Sequence, residues 1–220
     1  MMKKQNYLKH AIVLFLLLLL MQPGRAWAAY ENVEFSSLTN HDGLTNSQVG
    51  AILKDTRGYI WFGTQSGLCR FDGFRMKTFY YSITDDKSLP NNSVDELQQD
   101  YDGNIWVHTS VGYSIYKYDE EQFDRKPEEW LKNIHVQGPP YKLLIDKDKN
   151  MWIAVYGQGL YYHNAKTRNT YLFKFTKKAQ PGCLKEGNIS KITEVDGDAL
   201  ITYGDGTICR VNGQKQKVLW

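Results

Sequence analysis

Asp55-Thr-Arg-Gly-Tyr-Ile-Trp61, Asp100-Tyr-Asp-Gly-Asn-Ile-Trp106 and Asp146-Lys-Asp-Lys-Asn-Met-Trp152 spell one pattern three times, with tryptophans 45 and 46 residues apart. A fourth copy, Glu194-Val-Asp-Gly-Asp-Ala-Leu200, carries leucine in the tryptophan slot 48 residues further on. A period of roughly 40 to 50 residues, built of short strands and tight turns, is the sequence signature of a β-propeller. The spacing predicts an all-β, partial β-propeller of four four-stranded antiparallel blades, at about 44–80, 89–123, 137–175 and 184–220.

Outward from the first copy, β-rich runs at 49–54, 59–64, 68–71 and 75–80 are separated by Thr56-Arg-Gly58, Gln65-Ser-Gly67 and Asp72-Gly73, which are turn residues. The alternation in 49–54 is imperfect. A four-stranded meander cannot cover both of its faces alone, so neighbouring sheets must stack about an axis. Trp61, Trp106 and Trp152, with Ile60, Ile105 and Met151 beside them, are therefore read as packing between blades. Gly58, Gly103 and Gly197 supply a positive backbone dihedral in the first turn, and the third copy has Lys149-Asn150 there, where asparagine tolerates that conformation.

Residues 1–28 stand outside the repeat. Lys3, Lys4 and Lys9 precede an apolar run from Ala11 to Met21, and Ala26-Trp27-Ala28 offers a small-x-small cleavage pattern, so the segment reads as a helical secretory signal peptide. Eleven apolar residues are too few for a membrane span, which takes about 20. The whole chain has 27 basic and 24 acidic side chains; removal of the leader takes away Lys3, Lys4, Lys9 and Arg25 and leaves 23 against 24. That balance, with scattered lysines, gives no electrostatic footprint for nucleic acid. After the leader, 30–38 reads as one further N-terminal strand, and four blades leave two readings, an unusually small circle or, favoured because an arc's open edges are otherwise avoided, a piece of a larger propeller.

Cys69, Cys183 and Cys209 are an odd number at no metal-ligand spacing and read as small buried strand residues. Asp146-Lys-Asp148-Lys-Asn150 imitates the opening of a calcium loop, but Met151 stands where such a loop needs glycine and Gly157 where it needs glutamate. The sequence has no nucleophile elbow, zinc-helix motif or P-loop, and the acid pairs Asp85-Asp86 and Glu120-Glu121 are adjacent residues in loops. No catalytic residue, metal or cofactor is therefore assigned.

In a meander, the second-to-third turn and the blade-to-blade crossing share one face, and here that face carries the long segments 81–92, 124–140 and 177–188. Loops on a rigid scaffold are where recognition resides. Tyr113, Tyr156 and Gln158 there suit a sugar, whose ring offers C–H faces and hydroxyls to aromatic and amide groups. His108 joins them as the fourth candidate, and residues 127–131 read as a short helical insertion.

Asp42-Gly-Leu-Thr-Asn-Ser-Gln-Val49, Ile52, Asp55, Gly58, Ile60-Trp-Phe-Gly-Thr64 and Gly67-Leu-Cys-Arg-Phe-Asp72 resemble the two-component-regulator propeller repeat, and Leu89-Pro-Asn-Asn-Ser-Val94 to Asp100, Gly103, Trp106 and Thr109 resembles it again. His108 replaces the family's glycine, the third copy loses the glycine-threonine pair to Ala154-Val155, and the fourth loses the tryptophan. The resemblance implies the periplasmic sensor region of a Bacteroides-type hybrid two-component histidine kinase. Such a parent detects glycan breakdown products, acts as a homodimer and controls transcription. Its membrane helix, kinase core, receiver and DNA-binding region would follow the propeller. The implied ligand is an oligosaccharide, with no nucleic-acid contact by this region. An exported propeller enzyme acting on polysaccharide and a purely structural dimerisation propeller are the alternatives.

Overall fold

The computed structural model describes residues 37–177 and 183–219; the leader and most of the 30–38 segment lie outside them, and Ser37 and Leu38 are not in a strand. The chain enters through a three-residue 3-10 turn, Asn40–Asp42, in which the Thr39 and Asp42 side chains cap each other's backbone. Four antiparallel sheets then follow in sequence order. Blade 1 is β1 (Val49–Lys54), β2 (Ile60–Thr64), β3 (Gly67–Phe71) and β4 (Met76–Phe79). Blade 2 is β5 (Val94–Gln99), β6 (Ile105–Thr109), β7 (Gly112–Lys117) and β8 (Gln122–Asp124), followed by α1 (Pro127–Lys132). Blade 3 is β9 (Pro140–Ile145), β10 (Met151–Val155), β11 (Gly159–His163) and β12 (Thr170–Thr176), with a two-residue fifth strand, β13 (Leu184–Lys185), added parallel on its outer edge. Blade 4 is β14 (Ile189–Val195), β15 (Asp198–Tyr203), β16 (Ile208–Asn212) and β17 (Lys217–Val218).

The inner strands β1, β5, β9 and β14 lie side by side, and all four contribute to a central cavity of about 350 Å³. Each seam between neighbouring blades has its own apolar core. Trp61, Leu68 and Phe79 of blade 1 meet Ile105, Val107 and Tyr116 of blade 2; Trp61 lies edge-on to Tyr116 with centroids 5.0 Å apart. Trp106 and Ile115 meet Leu143, Met151 and Ile153, closed at one end by Leu131, Ile134 and Val136 from α1 and the segment after it. Trp152, Leu160 and Phe173 meet Ile192, Ala199 and Ile201. Because strand side chains alternate, the residue before each tryptophan faces the preceding blade: Ile105, Met151 and Ala199 are buried against the previous tryptophan's core. Ile60 in blade 1 and Leu200 in blade 4, at the two ends of this arrangement, are only half-buried.

The aspartate six residues before each tryptophan fixes its indole. Asp55 is buried, accepts the indole N–H of Trp61 at 2.7 Å, and accepts the backbone N–H groups of Arg57 and Tyr59 at 2.9 and 3.0 Å. Asp100 and Asp146 repeat the arrangement with Trp106 at 2.9 Å and Trp152 at 3.4 Å. One carboxylate thus satisfies the turn's orphan donors and the polar end of the buried indole together. Burial raises the Asp100 carboxyl above its ordinary range, against the lowering effect of its hydrogen bonds from Asn104 and Trp106. Asp146 spends its oxygens on Asp148, Asn150 and Trp152, so the segment that imitates a calcium loop turns its carboxylate inward.

Two sequence expectations are corrected by the backbone. Gly58, Gly103 and Gly197 do take positive φ (93°, 86° and 81°), but in the third copy the left-handed residue is Lys149 at 65°, not Asn150. Asn150 instead sends its amide to Asp146. The cysteines are free thiols; Cys69 is buried in β3, Cys209 is half-buried in β16, and half-buried Cys183 precedes β13 rather than lying in a strand.

Candidate ligand-binding cleft

All four inner strands break register at the same place. Gly50, Asp95, Tyr141 and Ser190 are each the extra residue of a bulge, between the pairs Val49/Ala51, Val94/Glu96, Pro140/Lys142 and Ile189/Lys191. A bulge takes a side chain out of the strand's alternation and re-aims it. In blades 2 and 3 the re-aimed residues reach across to the strand end beside them. Asp95 Oδ1 lies 2.6 Å from His108 Nδ1, and the Tyr141 ring stacks on Tyr156 with centroids 4.0 Å apart and planes 17° from parallel.

The residue at the fourth position of the second strand decides how closely two blades approach. In blade 1 it is Gly63, where a Cβ would stand 2.7 Å from Val94 Cγ1 of blade 2. In blade 2 the slot holds His108, whose ring lies 4.4 Å from Tyr113. Between blades 2 and 3 a cleft of about 360 Å³ opens there, lined by His108, Tyr113, Arg125, Glu128, Pro140 and Tyr156, among others. Its walls come from the second-to-third turns and the blade crossings, the end where the sequence places its long loops.

The groups in the cleft differ in how far the protein has used them. Tyr113 is buried; its hydroxyl donates to Glu96 at 2.9 Å and accepts from the Leu143 N–H at 3.0 Å, tying blade 2 to the inner strand of blade 3. Burial first, then the Glu96 charge, pushes its phenol far above the ordinary value. Arg125 holds the wall: its guanidinium donates to the carbonyls of Asp85 and Ser88, each at 3.0 Å, and to Ser88 Oγ at 2.7 Å, pinning the crossing between blades 1 and 2. Those acceptors are all neutral. Among the described residues the Glu128 side chain has no hydrogen bond or ion pair, and Tyr156 is 67% exposed with one ring face covered by Tyr141.

Of the four candidates from the sequence, His108, Tyr113 and Tyr156 come together in this cleft. Gln158 does not line it. One end of its amide donates to the Gln137 carbonyl at 2.8 Å and the other accepts from Tyr161 at 2.5 Å, so both ends are spent inside blade 3 and its crossing. Asp95, Tyr141 and Arg125 are not singled out by the sequence, and Glu128 stands there only as part of the expected helical insertion at 127–131. The imperfect alternation of the first inner strand is the trace that bulges leave, and it would have drawn attention to 95 and 141.

Residues 43–66 and 88–110 match the family model described as two component regulator propeller. One match falls in blade 1 and the other in blade 2. The matched stretches run from the turn before β1 through the β2–β3 turn, and from the crossing before β5 through β6, so they contain the Asp–Trp pairs and the bulges. Solved structures share this arrangement of blades. The extracellular domain of BT3049 from B. thetaiotaomicron, described as a hybrid two component system, aligns with TM-score 0.57 at 23% identity, over 83% of this chain and 26% of that one. The extracellular domain of BT4673 from the same organism aligns with TM-score 0.51 at 18% identity, over 78% and 24%. PorZ, a surface component of the type-IX secretion system of Porphyromonas gingivalis, aligns with TM-score 0.52 at 11% identity, over 82% and 23%. This chain spans about a quarter of the length of each. A comparison with curated proteins found no match. At these identities the structural likeness establishes the propeller fold.

Proposed function

We propose that this chain is the ligand-sensing propeller region of an exported, periplasmic receptor of the hybrid two-component type, and that its stimulus is an oligosaccharide held in the cleft between blades 2 and 3. The regulator propeller match and the receptor ectodomains among the structural neighbours support the receptor reading. The observation that carries the ligand reading is the Tyr141–Tyr156 stack. An exposed aromatic face, held in place from behind, sits at the rim of a cleft that also offers an imidazole, a carboxylate and a guanidinium. A pyranose presents C–H groups to such a face and hydroxyls to such polar groups.

The region acts by binding. The His108–Tyr113 pair has the residue types a propeller lyase would use, but the Tyr113 hydroxyl is locked between Glu96 and Leu143, and a phenol with a raised pKa is a poor base. Signal transfer would then require the ligand to favour one arrangement of a receptor dimer over another, since equal affinity for both transmits nothing. Calorimetric titration with a panel of oligosaccharides tests the reading. One glycan class is expected to give saturable heat, and Tyr156→Ala to weaken it about tenfold with an unchanged unfolding midpoint. If no oligosaccharide binds, or the variant binds equally well, the assignment fails.

A further inference from the structure

A second cleft, of about 360 Å³, lies between blades 3 and 4 at the opposite end of the strands, where the β11–β12 and β16–β17 hairpins turn. Its lining differs in kind from that of the cleft between blades 2 and 3. Asn164, Asn169, Tyr171, Gln214 and Gln216 contribute, and no charged side chain does. By contrast, the central cavity holds Glu96 and Lys142, and the cleft near Tyr118 holds Arg57 and Asp119. The turn of blade 4 lies flat on the Tyr162 ring, where a Cβ at Gly213 would come within 2.5 Å, so the floor is a buried tyrosine edge rather than a gap in packing.

We infer that this cleft is a separate recognition site for a neutral saccharide. Asn169, Gln214 and Gln216 are exposed, and among the described residues their side-chain amides have no protein partner. Each offers a donor and an acceptor side by side, the pair that two adjacent sugar hydroxyls complement. The Tyr171 ring, held edge-to-face against Phe173 at 4.7 Å, supplies an aromatic wall for a C–H face. Among the described residues no cation lines the cleft, so an anionic ligand seated in it would lose water from its charge without a partner in the lining; Lys166 and Lys215 belong to the same hairpins but stand outside that lining. A peptide would need apolar side-chain pockets, and the only apolar surface in the lining is the tyrosine rings. The site is independent of the cleft proposed above, being on the other face and between other blades.

The test is titration of the isotope-labelled chain with neutral α- and β-linked glucose, galactose and mannose disaccharides, following side-chain amide resonances by NMR. Digalacturonate and tetra-alanine serve as the acidic and peptide probes. At least one neutral disaccharide is expected to shift the Asn169, Gln214 and Gln216 amides saturably. Gln214→Ala, a change in an exposed turn that leaves the fold intact, should weaken this about tenfold, and Tyr171→Ala likewise. Tyr156→Ala should leave it unchanged, which separates this site from the first. Amides that no neutral disaccharide moves, or that only digalacturonate or the peptide moves, would overturn the proposal.

Discussion

The seams on either side of blade 2 are built from the same repeat and differ at the fourth position of the second strand, besides the cap that α1 and the segment after it add to one of them. On one side Gly63 lets Val94 approach within van der Waals contact, and the strand ends close. On the other, His108 and its bulge partner Asp95 occupy the space, and a cleft stands open. The tryptophan core beneath is alike in both. Fold and recognition are therefore separable within a blade: the outer and middle parts of the seam hold the sheets together, while the rim is free to vary.

If that separation holds, Trp61→Ala and Trp106→Ala should cost the same, about 3–5 kcal/mol each, since both indoles are fully buried between sheets. Denaturant midpoints would show it, and a large disparity would break the equivalence of the two seams. Half-buried Leu200 at the same slot in blade 4 should cost distinctly less on truncation.

Exchanging the rim slots sharpens the contrast. Gly63→His forces an imidazole into the space Val94 fills and should destabilise by about 1–3 kcal/mol. His108→Gly should cost about 1 kcal/mol or less, the usual penalty of a strand glycine, and show its effect in saccharide binding instead. Denaturation of both variants, with a titration of the second, decides whether the slot sets closure. Asp100 accepts with both oxygens, from the backbone N–H groups of Asp102 and Asn104 and from the Asn104 amide and the Trp106 indole, so Asp100→Asn must turn an N–H2 onto one of these donor pairs, and a loss of about 1–3 kcal/mol is expected by the same measurement.

The smallest effect concerns pH and is confined to the seam between blades 2 and 3. His163 in β11 is buried against Tyr101, with ring centroids 5.4 Å apart. Thr170 Oγ1 donates to the Ile134 carbonyl at 2.5 Å, so it must accept from His163 Nδ1 at 2.8 Å, which places the proton on Nδ1. Nε2 is then a buried lone pair with no partner among the described residues. Burial, and secondarily the charge of Arg168, lowers the imidazole pKa below its ordinary 6.5, while Asp102 opposes and His135 adds to the lowering. The unfolded chain thus binds a proton that the folded chain refuses. Stability from this site is full above about pH 6.5 and falls as pH drops below it. Urea midpoints at pH 7.5 and 5.5 should differ in that direction, and His163→Asn, which keeps a donor toward Thr170, should flatten the difference.

What the sequence conveyed well was what the repeat itself enforces. The four blades, the tryptophan slot and the glycine turns are visible because packing demands the same residue at the same place each time. The aspartate six residues ahead of each tryptophan was equally visible, but its bond to the indole was not, since turn and strand close on each other only in three dimensions. Gln158 shows the limit on the functional side. Its type suited a ligand, yet whether an amide faces solvent or its own blade depends on neighbours such as Tyr161 and Gln137 that no pattern announces. Lys149 shows it for the backbone: a lysine in the left-handed region carries no composition signal, and the asparagine beside it was the better guess on propensity.

The bulge shared by the four inner strands also has an engineering consequence. Its extra residue stands outside the strand alternation at four equivalent places. A Cβ at Gly50 would come 3.2 Å from the Val94 carbonyl and Tyr141 packs on the core of blades 3 and 4, whereas Asp95 and Ser190 are exposed, so the chemistry of those two can be rewritten at small thermodynamic cost. A library randomised at codons 95 and 190 would test whether the proposed ligand selectivity can be changed while the scaffold is left untouched.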